Sequence, residues 1–172
     1  MKRGELPHVA VLVDTATGWG RRIIRGIFRY SDKNGPWYLT VEPRGPEDNL
    51  TLPPGWNGHG VIARLSSQRV LRALQATGLP VVNVSAMNLP DNQFPQVTTD
   101  YHESASLALQ HFRDRGLQRF GYSGLPQTSF GRRHRDAFVE VVKKSGYSCD
   151  VYQPPRAASR AGHEKLLKHK IA

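Results

Sequence analysis

The sequence predicts an α/β fold, an open, mostly parallel sheet with helices on both faces. Three observations carry that prediction. Short, uninterrupted apolar runs at Val9–Val13, Gly60–Ala63 and Val81–Val84 have the character of strands buried on both faces. Segments with apolar residues at helical spacing alternate with those runs. Breaks such as Lys33-Asn34-Gly35-Pro36 and Gly78-Leu79-Pro80 separate one from the next. Alternation of this kind implies crossover connections. In such sheets ligands sit outside the carboxyl ends of the strands, here the loops after Val13, Ala63, Val84, Thr99 and Tyr122.

The first strand, Val9–Val13, leads into the small-residue loop Asp14–Gly20. A helix is expected from Arg21. Ile23, Ile27 and Tyr30 fall on its inner face, and Arg22, Arg25, Arg29 and Lys33 face away. Gly26 would cost that helix up to about 1 kcal/mol, which reads as close packing on the sheet. Trp37–Val41 is a second strand, and the Pro- and Gly-rich stretch 43–58 a long connection. Gly60–Ala63 is a third strand, followed by a helix over Gln68–Thr77 with Val70, Leu71 and Leu74 inward. Val81–Val84 is the fourth strand and Val97–Thr99 a short fifth one. Asp100 then caps a helix over Tyr101–Arg115, which Gly116 ends. Phe120–Tyr122 is a strand, Gln127–Gly131 a loop, and Arg133–Ser145 a helix with Phe138, Val141 and Val142 inward. Cys149–Tyr152 is the last strand, and Gly162–His169 a weak helix.

The 172 residues amount to about one domain's worth of chain. At 38% hydrophobic and 9% aromatic the chain can build a core, despite a mean hydropathy of −0.50. No apolar stretch approaches the ~18 residues that cross a bilayer, so no membrane contact is expected. The start, Met1–His8, lacks an apolar run and a small-residue cleavage site, so no secretory signal is read there. Cys149 is the single cysteine, which leaves no internal disulfide and no cysteine-based zinc site. A cytoplasmic location is the resulting expectation.

Charge narrows the possibilities only a little. Lys+Arg is 24 and Asp+Glu 14, a net +10. The excess lies at the two ends, +4 in residues 1–40 and +6 in residues 131–172, while residues 41–130 balance. Such a balance raises the prospect of nucleic-acid contact, yet scattered basic residues are more often solvated helix faces.

Most catalytic motifs are missing. Gly18-Trp19-Gly20 has no third glycine at Ile23, and Trp19 would crowd a pyrophosphate, so it does not make a dinucleotide fingerprint. No phosphate-binding Gly-x-x-x-x-Gly-Lys-Ser/Thr loop occurs. In Gly121-Tyr122-Ser123-Gly124-Leu125, Leu125 stands where a nucleophile elbow needs its second glycine. His163 and His169 are six apart, not the four that place two metal ligands on one helix face. His111 and His134 read as surface or core histidines. Neither an enzyme, a cofactor nor a metal is expected.

What remains is a set of polar and aromatic side chains at strand ends. Asp14, Trp19, Arg21, Arg64 and Asp100 all fall near one rim of the sheet. Carboxylates and guanidinium groups make directional bonds with sugar hydroxyls, and an aromatic face stacks on the apolar side of a pyranose. That is the composition of a polyol pocket. Each residue also has a structural alternative: Asp100 as a helix cap, Trp19 in packing, Arg64 as a surface charge.

Several stretches resemble the periplasmic-binding-protein-like sensor of the LacI/GalR family. They are Val9–Val13 with Gly18–Gly26, Asn57–Ala63, Val97–Asp100 and Gly116–Tyr122. A closer likeness is to the xylose-operon (XylR-like) regulators, through Trp19–Gly26, Gly60–Ala63, Thr99–Tyr101 and Gly124–Pro126. The resemblance covers nearly the whole chain and implies a type I fold, with an amino-terminal subdomain over 5–99 and part of a second over 100–172. It implies a sugar effector, xylose or a relative, bound between two lobes. In the family an arginine of Arg-x-x-Gly-Phe reaches the ligand. Here the matching position is His134, flanked by Arg133 and Arg135, with Phe138 after Ala137, and any of the three remains a candidate. Family sensors continue for roughly a hundred more residues, and xylose regulators then carry an AraC-type helix-turn-helix module. The expectation is therefore a truncated sensor that meets DNA only through a module absent from this chain, with a homodimer as one form. The alternative is a stand-alone small-molecule-binding or oligomerisation module without DNA binding.

Overall fold

The computed structural model describes residues 5–45, 50–124 and 128–152. The chain divides into two compact units, residues 1–98 and 99–172.

In the first unit the order is β1 (His8–Leu12), α1 (Gly18–Asn34), β2 (Tyr38–Val41), β3 (Gly60–Ala63), α2 (Gln68–Gln75) and β4 (Val81–Asn83). The strands form one sheet in the order β2-β1-β3-β4, every pair parallel. The register sets Ala10 beside Val61, and Val61 beside Val81, on one face. There they meet Val70, Leu71 and Leu74 of α2 to form the core, with Leu50 and Leu65. Parallel strands need apolar side chains on both faces. The opposite face carries Val11, Ile62 and Val82 side by side. Val11 is buried, whereas Ile62 and Val82 are half-buried.

The second unit runs α3 (Tyr101–Arg113), β5 (Phe120–Ser123), α4 (Ser129–Lys144) and β6 (Cys149–Tyr152). β5 and β6 pair in parallel. Ala105 and Leu109 of α3 pack with Ala137, Phe138 and Val142 of α4 against Phe120, giving this unit its own core. Gly116, at φ 74°, ends α3 in the left-handed conformation that glycine takes without steric cost.

The structure corrects several expectations. α1 begins at Gly18, not Arg21, because the Thr17 side chain caps it by accepting from Gly20 N. α4 likewise begins at Ser129, not Arg133: Thr128 accepts from Gly131 N at 3.1 Å, so part of the expected loop is helix. Val97–Thr99 is not a strand; pairing there is limited to one bridge between Asn83 and Gln96. Gly26 does not pack on the sheet, since it is exposed and a Cβ there would meet open space. Tyr30 is 54% exposed and so is not an inner-face residue. The weak helix expected over Gly162–His169 lies outside the described residues.

Candidate ligand-binding site

Strand order places a topological switch point in the first unit. From β1 the chain steps to one side to form β2, then crosses back to form β3 on the other side. The connections leaving the carboxyl ends of β1 and β3 therefore diverge, and such a switch point is where open α/β sheets bind ligands. Asp14 follows β1 and Arg64 follows β3, so the two flank that point.

Their side chains meet. Asp14 is 2% exposed, and its carboxylate lies 3.6 Å from Nη1 of Arg64. A buried carboxylate needs partners. Asp14 also accepts from the Thr17 backbone N–H at 3.3 Å and from the Thr17 hydroxyl. That hydroxyl in turn accepts from Gly20 N at 3.0 Å, so the Asp14 charge is relayed to the positive end of α1. The Arg64 guanidinium lies 5.8 Å from the centroid of the Trp19 ring, within range of a cation–π contact. Trp19 itself is half-buried. With one Nη1 directed at Asp14, Arg64 keeps further donors for a ligand oxygen.

Three supports hold this group. Arg64 N–H donates to Leu12 O at 2.9 Å, extending the β1–β3 ladder past the strand end. Asn83, fully buried at the end of β4, accepts from Leu65 N at 3.4 Å and Ser85 N at 2.8 Å, tying down the backbone next to Arg64. On the other side Thr15 N–H donates to Arg44 O and Arg44 N–H to the Thr15 hydroxyl, both at 2.9 Å. These two bonds join the β2–β3 connection to the loop after β1, and Arg44 also donates to Thr51 O at 2.7 Å within that connection.

Arg21 plays a different part from its neighbours. Its guanidinium donates to Ala16 O at 2.7 Å and Thr15 O at 3.2 Å, bracing the loop that carries Asp14.

The remaining candidates belong to the second unit. Asp100 caps α3 by accepting from Glu103 N at 2.9 Å. Next to it, the Tyr101 ring meets the His134 ring edge-on at 4.7 Å, and the Arg133 guanidinium lies 5.9 Å from its centroid. Arg135 instead donates to Asp136 at 2.7 Å. Phe130, 47% exposed, stands 5.6 Å from His134. Tyr122 donates to Gly131 O at 3.3 Å, and burial raises its phenol above the ordinary range.

Thr17, Gly20, Tyr101 and Phe130 were not singled out from the sequence, although a signal exists. Thr17-Gly18-Trp19-Gly20-Arg21-Arg22 and Thr128-Ser129-Phe130-Gly131-Arg132-Arg133 share the pattern Thr-x-aromatic-Gly-Arg-Arg. Both threonines cap a helix and both glycines are buried. Phe130 therefore occupies in the second unit the helix position that Trp19 holds in the first. A separate depression of about 630 Å³, lined by Arg113, Leu117, Val141 and Tyr147 among others, contains none of the predicted site residues.

The parallel sheet with its switch point and flanking helices is of the type I, periplasmic-binding-protein-like fold. A solved structure of the xylose-binding transcription activator xylR superposes with a TM-score of 0.72 at 21% identity, covering 98% of this chain and 44% of that one. An ABC sugar transporter subunit from Rhodobacter sphaeroides 2.4.1 superposes at 0.53 and 14% identity, over 95% of this chain and 61% of that one. The chain belongs to the XylR N-terminal domain family, which it matches over residues 8–103. It is 26% identical over 156 residues to the xylose operon regulatory protein of Escherichia coli (strain K12). That match takes in 85% of this chain but 39% of the relative, so the chain spans about two fifths of the relative's length. These relatives are regulators and sugar-binding proteins rather than enzymes.

Proposed function

We propose that the chain is the effector-sensing part of a sugar-responsive transcription regulator and that its effector is xylose or a closely related sugar. The observation that carries this reading is the Asp14–Arg64–Trp19 group at the switch point of the first unit. The half-exposed Arg64 offers donors to hydroxyl oxygens, buried Asp14 holds its charge in place, and the Trp19 ring offers a stacking face. The candidates Asp100, Arg133 and His134 belong to the second unit, where Phe130 holds the helix position that Trp19 holds in the first. Arg21 braces its loop, and Arg135 is held by Asp136. Sequence-specific contact with DNA belongs to a separate module in the whole regulator.

Calorimetric titration of the chain with xylose, against glucose and ribitol, tests the reading. Trp19→Ala and Arg64→Ala should each weaken xylose binding at least about tenfold while the far-ultraviolet spectrum and unfolding midpoint stay close to the parent. Unchanged affinity in a folded Trp19→Ala variant would remove the stacking role. A parent chain that binds none of the three polyols would remove the reading itself.

A further inference from the structure

The outer face of α1 carries a feature that sugar sensing does not use. Arg22, Arg25, Arg29 and Lys33 are all exposed. At 100° and 1.5 Å per residue they form a single file within about 80° of arc and roughly 16 Å long. Among the described residues none of the four joins an ion pair, whereas pairs form at Arg44–Glu42, Arg64–Asp14, His102–Glu140, Arg135–Asp136 and Lys144–Glu140. Asp32, at the edge of the file, is the one carboxylate on the helix. Gly26, about 20° beyond the Lys33 edge of the file, presents no side chain, so a flat surface can approach the backbone beside it. Four cations held this close repel one another, and a polyanion along the helix would relieve that repulsion.

We infer that this file is a docking surface for the phosphate backbone of double-stranded DNA, bound without regard to sequence. Charge complementarity selects the partner. Duplex DNA carries one negative charge per about 1.7 Å of axis, so roughly ten phosphates lie along a stripe of this length. The side chains are long and flexible and sit on a helix face, which suits phosphate contacts that position a protein but do not read bases. Within a regulator that acts at an operon, such a surface would hold the sensor against DNA flanking the specific site. The inference concerns a face of α1 remote in role from Asp14, Trp19 and Arg64, and stands whether or not xylose is the effector.

Fluorescence anisotropy of the 172-residue chain with a labelled 20-base-pair duplex of scrambled sequence, from 50 to 200 mM salt, tests it. Each phosphate contact contributes about 0.9 to the slope of log affinity against log salt. Arg25→Gln/Arg29→Gln/Lys33→Gln should flatten that slope by about 2.7. A control of equal charge loss on exposed sites elsewhere, Arg69→Gln/Arg72→Gln/Arg119→Gln, should change it by less than about 0.9, one contact's worth. Circular dichroism and urea unfolding confirm that both variants fold. Equal flattening by both triples would show that net charge alone attracts DNA and would overturn the proposal. So would a chain that ignores the duplex at 50 mM salt, or one that binds phosphatidylserine vesicles and not DNA.

Discussion

Gly20 shows how a single atom can set a binding rim. A Cβ built there would overlap the Asp14 carbonyl oxygen and crowd its carboxylate. The first turn of α1 can therefore approach Asp14 closely only because residue 20 has no side chain, and that approach brings the Thr17 hydroxyl between carboxylate and helix. Gly20→Ala should destabilise the chain by about 3 kcal/mol, the upper range for overpacking. It should also lower xylose affinity, because the backbone shift that relieves the overlap moves Asp14 away from Arg64. Urea unfolding and calorimetry read the two effects; a variant as stable as the parent would mean that the loop yields freely. The sequence pointed to the wrong glycine. Helical spacing drew attention to Gly26, whose surroundings are open, because spacing reports where a residue lies on a helix and not what faces it. Asp14, Trp19 and Arg64 were legible for the opposite reason. Asp14 and Arg64 follow strands and Trp19 opens the helix after the first of them, and strand ends in a parallel sheet share one rim. Phe130 was hidden because Ser129-Phe130-Gly131 reads as loop unless Thr128 is recognised as the cap.

Among the elements, strands were easier to place than helix starts. Continuous apolar runs located β1, β3 and β4 to within a residue, since burial on both faces leaves little choice of side chain. Both misplaced helix starts share one cause: a threonine hydroxyl satisfies an N–H of the first turn, and glycines in that turn resemble breakers. A side-chain hydrogen bond also joins α3 and α4. His102 Nε2 lies 3.0 Å from Glu140, and Lys144 donates to the same carboxylate at 2.6 Å. The bond from Lys144, and then that from His102, lowers the Glu140 pKa from 4.5 to about 2. A carboxyl whose folded pKa is depressed adds stability above its unfolded pKa and loses it as pH falls through the folded one. The contribution should thus be complete above pH 4.5 and fade towards pH 2. Urea midpoints of the parent and Glu140→Gln should differ at pH 6, converge by about pH 2, and differ less in high salt because the group is exposed. A gap that persisted unchanged at pH 2 would assign the loss to packing instead.

At the scale of the whole molecule, net charge and structural vocabulary point in different directions about DNA. A charge of +10 attracts phosphates. Reading a sequence needs more, namely a helix or ribbon that presents side chains to base edges in a groove. Among the described residues α2, α3 and α4 each commit buried apolar side chains to a core, Leu71, Leu109 and Val142 among them. α1 turns Gly20 and Ser31 inward and leaves its cations in single file, suited to a strand of phosphates rather than to donor–acceptor patterns. No two of these four helices are joined by the three- or four-residue turn of a helix-turn-helix; a strand follows each of them. The 172-residue chain should therefore bind DNA weakly, with affinity falling steeply as salt rises, and without preference for any promoter. Competition between a xylose-operon promoter fragment and scrambled DNA at physiological salt measures this directly. The expected ratio of affinities is near one, with or without xylose. A preference approaching about a thousandfold, the lower range for specific readers, would place a base-reading element within these residues and contradict the assignment of all four helices to structural and phosphate-contacting roles.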